Sequence, residues 1–384
     1  MNNMKPFVCI VTMLSLWTFT SSTMAAQGET FQTRKGTKVQ VEVVVSGLNH
    51  PWGMAFLPDD RLLITERNTG NLYVLDSARS LSRPLKGVPE VWAHDQGGLM
   101  DVALDPEFGD NRYVYLSYAK PGKGGRATTA LGRGKLTDHR IDDFQDIFVQ
   151  EPYIDGSKHF GNRIEFSPDG KYLFLGLGER FQFDPAQDLS NHLGKVIRIH
   201  PDGRVPKDNP FVGRANAEDE IWSLGHRNIE AMDFRPETNT LWAGEMGPRG
   251  GDELNKIEKG ANYGWPVVSW GDHYIFGRIP DPPTRPEFAD AALHWTPVIS
   301  PSGMVFYEGD LFPDWKSHLL IGGLTNGELV RVVFDGTKAR EEDRLPLPER
   351  VRDVDTGSDG AIYVLTDEDD GKLWRITPVG KTAD

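Results

Sequence analysis

Apolar positions along this chain rarely show the three-to-four-residue spacing of an amphipathic helix. What recurs is a polar turn followed by a short run in which apolar and polar residues alternate, the pattern of a half-buried strand. The copies are LPDDRLLITERNTGNLYVLD (57–76), LDPEFGDNRYVYLSYA (104–119), FSPDGKYLFLGLGE (166–179), FRPETNTLWAGEMG (234–247), FPDWKSHLLIGGLTNGELVRVVFD (312–335) and GSDGAIYVLTDEDDGKLWRITP (357–378). Each opens with Pro or Ser beside Asp, Glu or Gly, which favour tight turns, and continues into β-branched and aromatic residues. Several add a second hairpin turn, at 68–71, 325–327 and 369–371.

Six copies about fifty to seventy residues apart leave room for four strands each and predict a repeat architecture. The fold class predicted is all-β, a six-bladed β-propeller. The alternation at Val39–Val45 predicts a strand that completes the last blade and ties the two ends together. A pair of stacked β-sheets is the alternative. The longest stretches between repeats, 145–164, 181–227 and 255–302, are where binding residues are expected, because loops on a rigid scaffold carry function.

Residues 1–26 read as a signal peptide: a basic start at Lys5, an apolar run from Phe7 to Phe19, and small residues ending at Ala25 and Ala26. Residues 27–384 then form one catalytic propeller, periplasmic or secreted. The single cysteine, Cys9, falls in the signal, so the mature chain has no disulfide, thiolate chemistry or thiol-bound zinc. No other stretch is apolar enough for a membrane span. The net charge of −14 disfavours nucleic acid, and it requires that any anionic ligand be held by a local group of arginines.

Nucleophile elbows, P-loops and dinucleotide fingerprints are absent, so the chemistry must come from dispersed loops. Three segments, GHRNIE (225–230), GEMGPRGGDELN (244–255) and ANYGWP (261–266), mix arginine, acids and Gly-Pro turns. Arginine grips flat anions, and carbonyls with carboxylates suit Ca2+. His159 precedes a repeat strand and can serve as a general base or be an ordinary loop histidine. Gln96, the Arg227–Asn228 pair, and Arg350 with Arg352 hold the equivalent pre-strand position in other repeats, which points them to one end of the ring.

These pieces resemble the soluble quinoprotein aldose sugar dehydrogenases and the related soluble glucose dehydrogenase. The resemblance is carried by GLNHPWGMAFLPD (47–59), QGGLMDVALDP (96–106), HFGNRIEFSPDG (159–170), AQDLSNHLGKVIRI (186–199), the segments from 225 to 266, and RDVDTGSDGAIYVLTD (352–367). It implies a six-bladed propeller that uses pyrroloquinoline quinone (PQQ) and Ca2+ to oxidise an aldose sugar at its anomeric carbon, with an unidentified electron acceptor. His159 is implied as the base, with Arg227 beside the quinone. Gln96, Arg227, Asn228, Thr325, Arg350 and Arg352 are implied as cofactor contacts. The carbonyls of Gly247 and Pro248 would hold a catalytic Ca2+, and Glu253 and Tyr263 a structural one.

Two departures stand out. The family commonly places a lysine against PQQ in the fifth repeat, where this chain offers Thr325 and Asn326. Lys158 precedes the implied base where glucose-specific relatives have an acid, and a nearby cation there would lower the pKa of His159. The competing readings are a Ca2+-dependent sugar lactonase and a non-catalytic propeller that binds a glycan or protein. The aromatic residues Trp270, Tyr274, Phe276 and Trp295 suit either sugar stacking or core packing. A monomer and a homodimer are both compatible with the sequence.

Overall fold

The computed structural model describes Met1, residues 28–272 and residues 283–380. Apart from Met1, the signal segment with Cys9 lies outside the described residues, as do Tyr274 and Phe276. The strands form six sheets, almost all in antiparallel meanders, so the β-propeller expected from the repeats is what forms. The innermost strands of blades one to six are Pro51–Phe56, Leu99–Leu104, Gly161–Phe166, Ile229–Arg235, Pro301–Phe306 and Val351–Thr356. Each contacts the next, and the last returns to the first, which closes the ring.

Closure is made by the strand foreseen near residue 40. Lys38–Leu48 pairs antiparallel with Gly371–Pro378, from Val39 opposite Pro378 to Leu48 opposite Gly371. Glu29–Gln32 adds an outer strand, so the sixth blade has five strands. Blade one departs from four strands the other way, with three. After Leu75 the chain makes only isolated bridges, Leu75 to Leu81 and Lys86 to Arg140, and runs through Pro84 and Pro89, which have no N–H to give a ladder.

The core is divided among the seams between blades. Tyr115, Leu131 and Phe148 of blade two pack on Ile164, Leu173 and Ile197 of blade three. Trp242 and Leu254 of blade four meet Met304, Leu319 and Val330 of blade five. Each buried side chain of this size contributes about 1.5–3 kcal/mol through removal from water. Stability is therefore spread around the ring, and each blade depends on both neighbours.

In all six blades the pairing of the innermost strand with the second strand shifts register within its first residues. A bulge there bends the strand and re-aims its side chains. The bulges share one end of the channel, called here the front mouth, where the loops joining second to third strands also emerge. The stretches 181–227 and 255–302 are less free than the sequence suggests. They contain blade strands Lys195–Ile199, Ile221–Leu224 and Leu293–Trp295, which the turn-and-strand pattern did not mark. Among the described residues no helix is long and apolar enough to cross a membrane.

Candidate active site

His159 lies at the front mouth, just before the first strand of blade three, with its backbone at φ 53°. A histidine in the left-handed region is uncommon and points to a local constraint. The constraint is visible: His159 N donates to Gln96 Oε1 at 2.7 Å, and Arg180 N donates to the His159 carbonyl at 3.2 Å. Gly178 passes directly behind, where a Cβ would come within 2.0 Å of the His159 carbonyl oxygen.

The imidazole is buried, with 6% of the side chain exposed. Its Nδ1 lies 2.5 Å from Glu179 Oε1, and the other Glu179 oxygen accepts Phe183 N at 2.8 Å. A carboxylate on Nδ1 fixes the proton there and leaves Nε2 as the basic nitrogen. Among the described residues Nε2 has no hydrogen-bond partner. Burial lowers the His159 pKa and Arg227 lowers it further, against the opposing pull of Glu179. The imidazole is therefore uncharged at neutral pH, and its Nε2 can accept a proton.

The cation that depresses it is Arg227 and not, as the sequence suggested, Lys158. Lys158 is exposed, and its ammonium sits 5.4 Å from the centre of the Phe181 ring. Phe181 in turn meets the imidazole edge-on at 5.1 Å. Arg227 donates through Nη1 to the carbonyls of Met246 and Gly247, both at 2.8 Å, and lies over the Trp265 ring at 5.3 Å.

Asn228 is tied on both sides of its amide. Oδ1 accepts Gly161 N at 3.0 Å, and Nδ2 donates to Glu230 Oε1 at 2.8 Å. Glu230 Oε2 receives Arg352 Nη1 at 2.7 Å, and Arg352 Nη2 reaches Asp367 Oδ2 at 2.6 Å. Arg350 donates to the same Asp367 oxygen at 3.2 Å. A continuous polar chain thus runs from the His159 segment to both arginines of blade six. Arg352 is buried and held, whereas the Arg350 side chain is 49% exposed at the rim. Thr325 is exposed at the same mouth, with Oγ1 2.6 Å from Ser300 Oγ.

Three of the four residues expected around metal come together beside Arg227. Gly247, Glu253 and Tyr263 line one cavity of about 10 Å3, room for a single water or ion. Burial, and then Glu245, push the Glu253 carboxyl up to about 8. Asn255 Nδ2 bridges the two acids, donating to Glu245 at 2.8 Å and Glu253 at 3.1 Å, while Asn255 Oδ1 is buried without a hydrogen-bond partner among the described residues. The Tyr263 carbonyl is likewise unused by any described N–H. Crowded acids beside unused oxygens are what a hard cation relieves. The Gly247 carbonyl is already engaged by Arg227, so a metal there shares or displaces that contact. Pro248 is outside the lining of this cavity.

Comparison with known proteins bears on this site. Residues 48–375 match the family model described as glucose/sorbosone dehydrogenase. The chain belongs to this family. It is 43% identical over 349 residues to the aldose sugar dehydrogenase YliI of Escherichia coli, a match covering 88% of this chain and 93% of that protein. It is 28% identical to quinoprotein glucose dehydrogenase B of Acinetobacter calcoaceticus, over 89% of this chain and 90% of that one. Among solved structures, the apo-form of the E. coli soluble aldose sugar dehydrogenase superposes with TM-score 0.85 over 88% of this chain and 99% of that chain. The PQQ-bound aldose sugar dehydrogenase of Streptomyces coelicolor, 27% identical, gives 0.73 over 88% and 99%. The protein is an oxidoreductase of the quinoprotein sugar dehydrogenase type.

Family membership did not bring every mouth residue to notice. Glu179 ends the GLGE of the third repeat, and nothing in the linear order pairs it with His159. Arg180 is 1% exposed and donates to the carbonyls of Ala127, Gly156 and Lys158 at 2.8, 2.6 and 3.0 Å. Arg67, in the first repeat, lies 3.8 Å from Asp367. Each stands one to three residues after the second strand of its blade, a position the pre-strand comparison did not cover. Two aromatic candidates resolve differently. Trp295 is core, 4% exposed, while Trp270 stacks on His294 at 4.0 Å.

Proposed function

We propose that this enzyme oxidises aldose sugars at the anomeric carbon to lactones with PQQ and Ca2+, and passes the electrons to an external acceptor. The observation that carries the reading is the buried His159, with Glu179 on Nδ1 and an unpartnered Nε2, at a mouth ringed by arginines from different blades. The family's PQQ-bound member supports the cofactor.

When bound, PQQ accepts the electron pair that leaves the sugar carbon, and Ca2+ polarises it as a Lewis acid. The chain's own residues do the rest. His159 Nε2 takes the proton of the anomeric hydroxyl. Glu179 holds the ring's orientation and stabilises the imidazolium as it forms. Arg227 stabilises negative charge developing beside the imidazole, in a site too buried for water to screen it. Gln96, Arg227, Thr325, Arg350 and Arg352 would hold the cofactor. So would Asn228, whose Nδ2 keeps a second hydrogen for a ligand. The carbonyls of Gly247 and Pro248 would hold the Ca2+ at the cofactor, and Glu253 with Tyr263 a second Ca2+. We read residues 1–26 as an export signal, which places the enzyme in the periplasm or outside the cell.

The test is to titrate purified protein with PQQ, with and without Ca2+, and then add a panel of aldoses with a reducible dye. Dye reduction that requires PQQ and Ca2+ is expected. His159→Ala should bind PQQ and turn over nothing. Protein that binds PQQ yet reduces no dye with any aldose overturns the reading.

A further inference from the structure

Where blades one and six meet at the front mouth, three arginines share two buried carboxylates. Arg67 follows the second strand of blade one and stands between two of the cofactor contacts proposed above. On one side its carbonyl accepts Leu99 N at 3.2 Å, three residues past Gln96. The approach is so close that a Cβ on Gly98 would lie 2.7 Å from Arg67 Cγ and 2.0 Å from its carbonyl oxygen. On the other side, Arg67 Nη2 is 3.8 Å from Asp367, the carboxylate that Arg350 and Arg352 share. Going around the mouth, Arg67 fills the gap between Gln96 of blade two and the arginine pair of blade six.

Its guanidinium is underused. Nε reaches Asn68 Oδ1 at 3.3 Å, and among the described residues the terminal nitrogens donate no hydrogen bond. The side chain is 14% exposed, so it is largely out of water yet open to the mouth. Burial lowers its pKa, and Arg352 and Arg350 add to the effect against the opposing pull of Asp367 and Glu230. The buried acids in reach are Asp367 and Glu230, two carboxylates for three arginines. Asp369, 95% exposed at its side chain, faces His50, whose pKa is raised chiefly by its hydrogen bond to Asp367. A half-desolvated guanidinium facing like charges is costly unless an anion completes it. The surplus sits in a chain of net charge −14, so the general field does not explain it.

We propose that Arg67 is a further cofactor-binding residue: its free fork takes a carboxylate of the bound tricarboxylate quinone, between Gln96 and the Arg350–Arg352 pair. A planar fork grips a carboxylate through two parallel hydrogen bonds, which a lysine does not do. The inference rests on the PQQ reading above.

The experiment titrates PQQ into purified, metal-loaded apo-protein and follows tryptophan quenching, so it needs no turnover. Arg67→Ala is expected to weaken PQQ at least tenfold and to flatten the dependence of affinity on salt. Arg67→Lys falls between it and the wild type. Arg79→Ala, which removes an equal charge on the opposite face of the ring, beside Glu42, leaves affinity unchanged. Thermal melting without PQQ checks that each variant is folded, and Arg67→Gln replaces Arg67→Ala if that variant is not. Wild-type affinity in the folded Arg67 variant overturns the proposal, as does an equal loss in Arg79→Ala. Wild-type protein that fails to bind PQQ overturns the underlying reading and this inference with it.

Discussion

Replacing Glu179 with glutamine tests the catalytic reading at one oxygen atom. The carboxylate is fully buried at its side chain and sits 2.5 Å from His159 Nδ1. Glutamine keeps the size but loses the charge, and its NH2 can face Nδ1 and impose the wrong tautomer. A charge-assisted hydrogen bond of this kind contributes about 1.5–3 kcal/mol, and that support is needed most when the imidazolium forms. The expected loss in kcat/KM is therefore about 10- to 150-fold. The pH profile gives a second readout. Burial already lowers the His159 pKa while Glu179 raises it, so removing Glu179 lowers it further. The neutral base then persists to lower pH, and the acid limb of kcat/KM moves down in pH even as its plateau falls. Dye-linked aldose oxidation by reconstituted enzyme from pH 5 to 9 measures both. A Glu179→Gln enzyme within threefold of wild type, with an unmoved acid limb, would refute the dyad as a catalytic unit.

Three further outcomes follow from the same geometry. Glu253, pushed up to about 8, holds a proton at neutral pH until a cation displaces it. The rise in Tm produced by Ca2+ should therefore be larger at pH 9 than at pH 6.5, and absent in Glu253→Ala. Burial opposes ionisation of Asp367, but Arg352, His50 and Arg67 outweigh it and hold the carboxyl well below the usual range. Its contribution is thus present above the unfolded-state pKa of about 4 and lost as pH falls below it. Asp367→Asn, which leaves three arginines without their shared acid, should lower stability in urea melts at pH 7 by about 3–5 kcal/mol. Gly178→Ala forces a methyl against the His159 carbonyl, so it should cost about 1–3 kcal/mol of stability and most of the activity in the folded fraction.

The period of the turn-and-strand pattern was enough to read six blades, and the alternation around Val41 was enough to read closure. Pre-strand position brought Gln96, His159, Arg227 and Arg350 to one end of the ring because every innermost strand enters the channel from the same side. The pattern stopped short at second-strand ends. Glu179 and Arg67 stand there in ordinary-looking turns; the antiparallel pairing within blade three sets Glu179 against His159, 20 positions away, and closure of the ring sets Arg67 against Asp367, 300 positions away. The role of Asn228 was also hidden. As a name in a motif it looks like a ligand contact, but its amide first joins the His159 segment to Glu230. Sequence showed which residue types gather. It did not show which of their hydrogen bonds the protein itself consumes.

The pairing of Lys38–Leu48 with Gly371–Pro378 has a consequence for biogenesis. A nascent chain can build early blades as they leave the ribosome, but their seams stay open to water until the last strand has been synthesised and meets one of the first. The native ring is therefore completed only when both ends of the chain are available, in one late closing event.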